Sequence, residues 1–325
     1  MNYLRFLITG GAGFLGSYLV ERLISEGYKV TVIDNLSSGC IDNIKTWLGC
    51  STFRFIKSDL KSLDRWVEVF KNVDIVFHYA ANPEVRVSVM DPKIHFKENL
   101  QATFNVLEAC RNFKVRYLVF ASTSTVYGDA DKIPTPEDYH PLNPISIYGA
   151  VKLACEILIQ TYSRLYGLKA LILRYANIIG PKMKRGVIID FINKLQVNPK
   201  KLEILGDGRQ RKSYLYVEDA IDATLKALNY ILDFEKTMEI FNVGSEDWIT
   251  VEEIADIVTD AMNLRNVEYL YRSVTSDGRG WPGDVKLMLL DISKLKKTTG
   301  WTPRLNSREA VKFTVNNLIK ENFGK

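Results

Sequence analysis

The segment Thr9-Gly10-Gly11-Ala12-Gly13-Phe14-Leu15-Gly16 constrains this chain more than any other. It follows the apolar run Leu4-Arg5-Phe6-Leu7-Ile8 and precedes a helical pattern with Leu15, Leu19, Leu23 and Ile24 on one side. The glycines therefore stand at a strand-to-helix turn. Gly10 permits the tight turn, Gly13 lets backbone approach a pyrophosphate, and Gly16 lets the helix pack close to the sheet. Gly27 closes that helix, Lys29-Val30-Thr31-Val32-Ile33 reads as the next strand, and Asp34 ends it. An acidic residue there accepts hydrogen bonds from a ribose diol and repels a 2′-phosphate. The residues that follow, Asn35, Leu36, Ser37 and Ser38, include no Lys or Arg to welcome such a phosphate. A glycine trio alone is a weak signal; this context makes it a dinucleotide site that favours NAD over NADP.

Further apolar strands alternate with helical segments. Phe53-Arg54-Phe55-Ile56, Val73-Asp74-Ile75-Val76-Phe77, Tyr117-Leu118-Val119-Phe120 and Ala170-Leu171-Ile172-Leu173-Arg174 read as strands, with helices near 62–71 and 93–113. Such alternation predicts an α/β fold: a doubly wound parallel sheet, of the Rossmann type, covered on both faces. After about residue 177 the pattern breaks into Gly180-Pro181-Lys182-Met183-Lys184-Arg185-Gly186 and shorter elements. Glu239-Ile240-Phe241-Asn242-Val243 looks like a late strand returning to the main sheet. We expect an NAD-binding domain over 1–177 with a returning segment near 214–247, and a smaller interleaved α/β substrate-binding region over 178–325.

Lys and Arg number 43 against 38 Asp and Glu, a net charge of +5. So mild an excess argues against a nucleic-acid partner and suits an enzyme whose ligands carry phosphates. No run of 18 apolar residues occurs, so no membrane span is expected. Four glycines break the apolar N-terminus, so no signal peptide is expected, and the expected compartment is the cytoplasm. Cys40, Cys50, Cys110 and Cys155 form no CxxC pair, and there are three histidines, so thiols and no metal site are expected.

Tyr148-Gly149-Ala150-Val151-Lys152 places a phenol and an ammonium one helical turn apart. At roughly 5 Å and an effective dielectric of about 20 they couple by about 3 kcal/mol. That predicts a phenol lowered by about two pH units from its ordinary value near 10, a workable general base. Between the glycine turn and this pair lies Ala121-Ser122-Thr123-Ser124-Thr125-Val126-Tyr127-Gly128. Hydroxyls at a strand's C-terminal edge either point into the ligand crevice of a doubly wound sheet or satisfy a turn.

Together these residues resemble the extended short-chain dehydrogenase/reductase family, in its nucleotide-sugar epimerase and dehydratase group. The resemblance runs over nearly the whole chain. It includes Asp59-Leu60, His78-Tyr79-Ala80-Ala81, Asn99, Leu173 to Pro181, Gly206-Asp207-Gly208 to Tyr214, and Trp281-Pro282-Gly283-Asp284. It implies that Thr123, Tyr148 and Lys152 are catalytic: a hydroxyl on the sugar oxygen, the base and its partner. It further implies NAD contacts at Gly10, Gly13, Phe14, Leu15, Asp34, Asn35, Ser38, Gly39, Asp59, Leu60, Tyr79, Ala80, Ala81, Asn99, Ser122, Tyr148, Lys152 and Tyr175. The substrate, a UDP-sugar, is implied to meet Arg86, Thr123, Tyr148, Asn177, Val187, Arg211, Lys212, Tyr214, Arg279, Asp284 and Met288. Asn177 is implied to hold the diphosphate region.

Two departures bear on the diphosphate. The family usually has Arg where this chain has Lys212, with Arg211 just before it; Lys lacks the bidentate fork. The Arg usual three residues before the Asp of the late GD motif is Trp281 here, and Arg279 is the nearest guanidinium. The holder among Arg211, Lys212 and Arg279 stays open.

Reaction type is implied by the residues after Thr123. Family dehydratases carry Asp-Glu there and decarboxylases a Glu at the second position; this chain has Ser124 and Thr125. Oxidation and re-reduction without an added step, epimerisation at C4 of a UDP-hexose, is what the resemblance implies. UDP-glucose and UDP-galactose are the expected substrates. Met288, four positions after Asp284, borders the sugar's 2-substituent by the same resemblance and is flexible enough to admit an N-acetyl group. UDP-glucuronate stays an alternative, with Arg86 either facing its carboxylate or capping a solvated helix start. Another nucleotide-sugar epimerase or dehydratase, and a non-catalytic NAD-binding regulator, are further alternatives. Helices over 93–113 and from Tyr148 carry apolar residues on more than one face, Phe96, Leu100, Phe104 and Leu107 on one and Leu153, Ile157 and Leu158 on the other. Relatives pair these helices, so a homodimer is expected.

Overall fold

The structure, a computed structural model, describes residues 4–323. In chain order the strands are β1 (Arg5–Thr9), β2 (Lys29–Asp34), β3 (Phe53–Lys57), β4 (Ile75–His78), β5 (Tyr117–Thr123), β6 (Lys169–Tyr175), β7 (Asn177–Ile179), β8 (Lys201–Leu205), β9 (Arg211–Lys212), β10 (Tyr214–Tyr216), β11 (Met238–Val243), β12 (Ile249–Thr250), β13 (Glu268–Arg272) and β14 (Leu287–Met288). Contacts divide the chain into two compact units. The first takes residues up to Val126, Ile147–Arg174 and Ile221–Phe241. The second takes Tyr127–Ser146, Tyr175–Ala220 and the chain from Asn242.

The first unit is built on a seven-stranded sheet in the order β11-β6-β5-β4-β1-β2-β3. β1 pairs in parallel with both β2 and β4, so the order reverses beside it. In such sheets the ligand crevice opens at the carboxyl ends of the strands flanking that reversal, here Thr9 and His78. β1, β2 and β4 read as apolar runs because helices cover both faces. Leu7, Ile33, Val76, Leu118 and Ile172 meet Trp66, Phe70, Val106, Leu107 and Ile159 in one core. The late strand joins this sheet at its edge, beside β6.

Two helices differ from their sequence pattern. The segment near 62–71 is a 3-10 helix, Arg65–Phe70, begun by the Asp64 carboxylate accepting from the Arg65 amide at 2.7 Å. Six residues containing β-branched Val67 and Val69 do not sustain regular α turns. The segment over 93–113 is interrupted: α-helical Lys93–His95 passes into a π-helical stretch, Phe96–Gln101, before α-helix Ala102–Asn112.

The second unit holds three small sheets: parallel β7–β10, mixed β12-β9-β14, and parallel β8–β13. Helix Val251–Ala261 starts at a capping box of Thr250 and Glu253. A boundary at residue 177 leaves Tyr127–Ser146 in the first domain, but the contacts place it in the second unit. Its hydrogen bonds explain why. Tyr127 donates to Asn242 at 2.7 Å, the Thr135 amide donates to the Leu289 carbonyl, and Asn242 in turn donates to the Thr135 carbonyl. No helix among the described residues is long and apolar enough to cross a membrane.

Candidate active site

Gly10 has φ +72°, and a Cβ there would sit 2.6 Å from the Ala80 amide nitrogen. Only glycine lets the turn after β1 lie against the segment after β4. A Cβ on Gly16 would come within 2.3 Å of the Gly10 carbonyl, so the helix Phe14–Ser25 approaches the turn only without one. The Asp34 carboxylate closes the other side of this cradle. One oxygen accepts from the Ala12 amide at 3.0 Å and the other from the Leu36 amide at 2.8 Å. Burial pushes its pKa up while those two hydrogen bonds oppose. Each oxygen keeps a lone pair, which is what a ribose diol requires. The cradle and this carboxylate fit a dinucleotide carrying an unphosphorylated 2′-hydroxyl.

The other expected cofactor residues of the first unit lie at strand ends or touch them. Asn35, Ser38 and Gly39 follow β2, and Asn35 donates to Asp59, which with Leu60 follows β3. Tyr79, Ala80 and Ala81 follow β4; Asn99 accepts from the Asn82 amide at 2.7 Å and donates back to its carbonyl, fixing that segment. Ser122 lies in β5 with its hydroxyl donated to Glu156, so its side chain has a protein partner. Tyr175 is the buried last residue of β6 and belongs to the second unit.

Sequence reasoning missed His78 as a strut. Its two ring nitrogens meet the hydroxyls of Thr9 at 2.7 Å and Thr103 at 2.9 Å, and Thr9 also accepts from the Ala80 amide. Burial, with Lys152 adding to it, pushes His78 down to about 3, so it is a neutral spacer. Thr9 and His78 are 69 residues apart and only strand register pairs them, so no sequence signal announces the contact.

Helix Ile147–Tyr166 carries both Tyr148 and Lys152. Here the structure corrects the expectation drawn from spacing. Burial pushes the Tyr148 phenol up to about 12, and a hydrogen bond from Thr123 only partly opposes it. The Coulomb argument leaves out desolvation, and desolvation wins. The same burial brings the Lys152 ammonium down to about 8, with Cys155 and Glu156 pulling the other way. That ammonium lies 4.3 Å from the centre of the Phe120 ring. Thr123 ends β5 and its hydroxyl accepts from the Thr125 amide, which sets it beside Tyr148. His95, also missed, packs edge-on against the Tyr148 ring at 5.3 Å. Burial holds its pKa below the ordinary value, against the Glu84 carbonyl and the carboxylates of Glu98 and Glu84. Arg86 stands exposed, its Nε 3.0 Å from a Glu84 oxygen.

The second unit holds the remaining expected substrate residues. Asn177 starts β7 and donates to the Ser213 carbonyl; Tyr214, buried on β10, pairs beside it. Val187 opens helix Val187–Val197 after the positive-φ Gly186. The basic candidates part company. Arg211 and Lys212 are neighbours on β9 and so project to opposite faces. Lys212 meets buried Asp284 at 2.6 Å and sits 5.5 Å from the Trp281 ring, whereas exposed Arg211 lies over Trp248. Arg279 grips Asp129 with both terminal nitrogens, donates to Asp277 through Nε, and reaches the Asp284 carbonyl at 2.7 Å. Those carboxylates hold its pKa well above the usual value. Met288 is buried on β14, opposite Lys212 in register, and its carbonyl accepts from the Ser213 amide.

The profile of the NAD dependent epimerase/dehydratase family matches residues 6–244. A putative UDP-glucose 4-epimerase of Methanocaldococcus jannaschii is 37% identical over 323 residues, 97% of this chain and 99% of that protein. A UDP-glucuronate 4-epimerase of Thermodesulfobacterium geofontis is 33% identical over 330 residues, 98% of this chain and 97% of that one. A solved UDP-galactose 4-epimerase is 48% identical with a TM-score of 0.86, over 98% of this chain and 99% of that one.

Proposed function

This chain belongs to the NAD dependent epimerase/dehydratase family, and from that premise we propose that it interconverts UDP-glucose and UDP-galactose by epimerisation at C4. At the coarser level it is a nucleotide-sugar epimerase that uses NAD. The finer reading rests on one observation. Thr123 lies close enough to Tyr148 to lower its phenol, and the positions after Thr123 carry Ser124 and Thr125, which have no carboxylate for proton abstraction beside a ketone.

In this reading Tyr148 takes the O4 proton and later returns it, and Thr123 donates to the same sugar oxygen. Bound NAD supplies a hydride acceptor for C4 and a positive ring charge. A phenol at about 12 is a poor base at neutral pH even with Thr123 beside it, so nearby positive charge has to bring it down. Lys152 contributes while it keeps its proton, that is below about pH 8. Epimerisation requires the 4-keto sugar to present its other face before C4 is reduced again, so no net oxidation results. Asp34 would receive the ribose diol, and Gly10, Gly13, Phe14 and Leu15 would receive the pyrophosphate. Among the basic candidates we assign the substrate diphosphate to Lys212, since Arg211 projects to the other face and Arg279 spends Nε and both terminal nitrogens on Asp277, Asp129 and the Asp284 carbonyl, whereas Lys212 meets one carboxylate, that of Asp284.

UDP-glucuronate is the second reading, supported by the relative from T. geofontis. Arg86, the residue on which it leans, is exposed and paired with Glu84, so it receives less support. Met288 supports tolerance of N-acetylated UDP-hexoses. The partner we propose is a second copy of the chain. Phe96, Phe104 and Ile157 are exposed at 55%, 43% and 55%, although Leu107 is fully buried in the core and Leu100 and Leu158 pack on it. Light scattering at micromolar concentration should return twice the chain mass. Purified protein incubated with UDP-glucose, UDP-N-acetylglucosamine and UDP-glucuronate, with products identified by NMR, tests the substrate reading. UDP-galactose should dominate, and turnover of UDP-glucuronate alone would replace this reading by the second.

A further inference from the structure

Tyr148, Lys152 and Glu156 recur every four residues along helix Ile147–Tyr166 and so form one stripe on one face. Glu156 is completely buried, and its counter-ion, Arg174 on β6, is nearly so. Arg174 Nη2 donates to Glu156 Oε2 at 2.7 Å and Nε to Oε1 at 3.1 Å. The same Oε1 accepts from the Ser122 hydroxyl. Ser122 immediately precedes Thr123 on β5. One carboxylate therefore ties the helix that bears Tyr148 and Lys152 to the strand that bears Thr123.

We infer that Glu156, with Arg174 and Ser122, is a positioning residue for the catalytic set, fixing the Thr123–Tyr148 distance and keeping Lys152 charged. The inference rests on the reading of Tyr148 and Lys152 as base and partner. A buried ion pair is poor evidence for stability, since desolvation offsets its attraction. Its value lies in what it holds in place. Lys152, Arg174 and Glu156 carry two positive charges and one negative. Removing the negative one leaves two cations in a dry interior, and Lys152 is the one that can shed its proton. The groups that Lys152 faces are Cys155 and Glu156 on its own helix, His78 at the end of β4 and His95, with the Phe120 ring beneath it. Of these Cys155 and Glu156 favour its charged form. Because burial keeps the Cys155 thiol protonated, the standing negative charge is that of Glu156.

The test is Glu156→Gln, which preserves shape, with Ser122→Ala as a milder companion. Folding and retained NAD are checked first by circular dichroism and by cofactor release. For Glu156→Gln the basic limb of the kcat/KM profile should move down by about one pH unit, as expected for losing a neighbouring buried charge. Its kcat should fall about tenfold with KM within about twofold, the pattern of lost positioning. Ser122→Ala should lower kcat about threefold and leave the limb in place. A folded Glu156→Gln with a wild-type pH profile and kcat overturns the inference, whatever its melting temperature. Should Glu156→Gln not fold, Ser122→Ala decides: kcat lowered at unchanged melting supports it, and unchanged kcat overturns it. Failure of the underlying reading shows separately, as turnover that persists in Tyr148→Phe.

Discussion

In the first unit Lys152 lies buried over the Phe120 ring, and its pKa has come down to about 8. In the second, Lys212 and Arg279 hold carboxylates at hydrogen-bonding distance, 2.6 Å to Asp284 and 2.8 Å to Asp129. The same class of side chain is thus placed for opposite ends. A cation stripped of water and left without a direct carboxylate partner is titratable and can influence a neighbouring phenol. A cation already paired is fixed in charge and position, and suits holding a ligand's phosphates more than moving a proton. The comparison predicts that substitutions in the first unit act on kcat and on pH dependence, and those in the second on KM.

The largest expected effect tests the first half. Tyr148→Phe should lower turnover by a factor on the order of 10² to 10⁴, the usual worth of a general base, with little change in substrate affinity. Near wild-type kcat in steady-state assays would remove Tyr148 from the mechanism. The second prediction concerns pH. Lys152 is protonated below about pH 8 and neutral above it, so its contribution is present at lower pH and kcat/KM should show a basic limb as pH rises through that value. Lys152→Arg keeps its charge at any accessible pH and should abolish that limb, whatever it does to the plateau. A limb that persists in Lys152→Arg assigns it to another group.

The second unit is expected to respond in KM. Lys212→Met should raise the KM for UDP-sugar by roughly tenfold with kcat nearly constant, the signature of lost uniform binding, while Arg211→Ala should do little. A dominant fall in kcat for Lys212→Met would erase the contrast between the units. The smallest effect is assigned to Met288. Its side chain should let UDP-N-acetylglucosamine react within roughly two orders of magnitude of UDP-glucose, about 3 kcal/mol of differential binding. Activity on UDP-glucose alone, unchanged in Met288→Ala, would show that Met288 does not border the sugar.

The same contrast explains what could be read from the sequence. The first unit announces itself because its chemistry is written in short spacings. Gly10 to Gly16 form one turn, Tyr148 and Lys152 one helical turn, and β1 to β6 apolar runs between helices. The pairings of the second unit join residues far apart: Lys212 to Asp284 across 72 positions and Arg279 to Asp129 across 150. No local pattern records them, so the sequence leaves the choice among Arg211, Lys212 and Arg279 open, and the proposal of Lys212 draws on strand alternation on β9 and on the partners of Arg279. Long-range register also hid His78, and desolvation reversed the expected direction at Tyr148. Glu156 stands four residues beyond Lys152, but nothing in the sequence marks it, and only the structure shows its burial against Arg174.

The central claim is that C4 is oxidised and reduced again within one site, with Tyr148 handling only the hydroxyl proton. Its most direct test is NMR of UDP-glucose incubated in D₂O with the purified protein and its bound NAD. The account predicts a mixture of UDP-glucose and UDP-galactose in which C4 keeps its original hydrogen. Deuterium at C4 of the product, which requires removal of a carbon-bound proton to solvent, would contradict it.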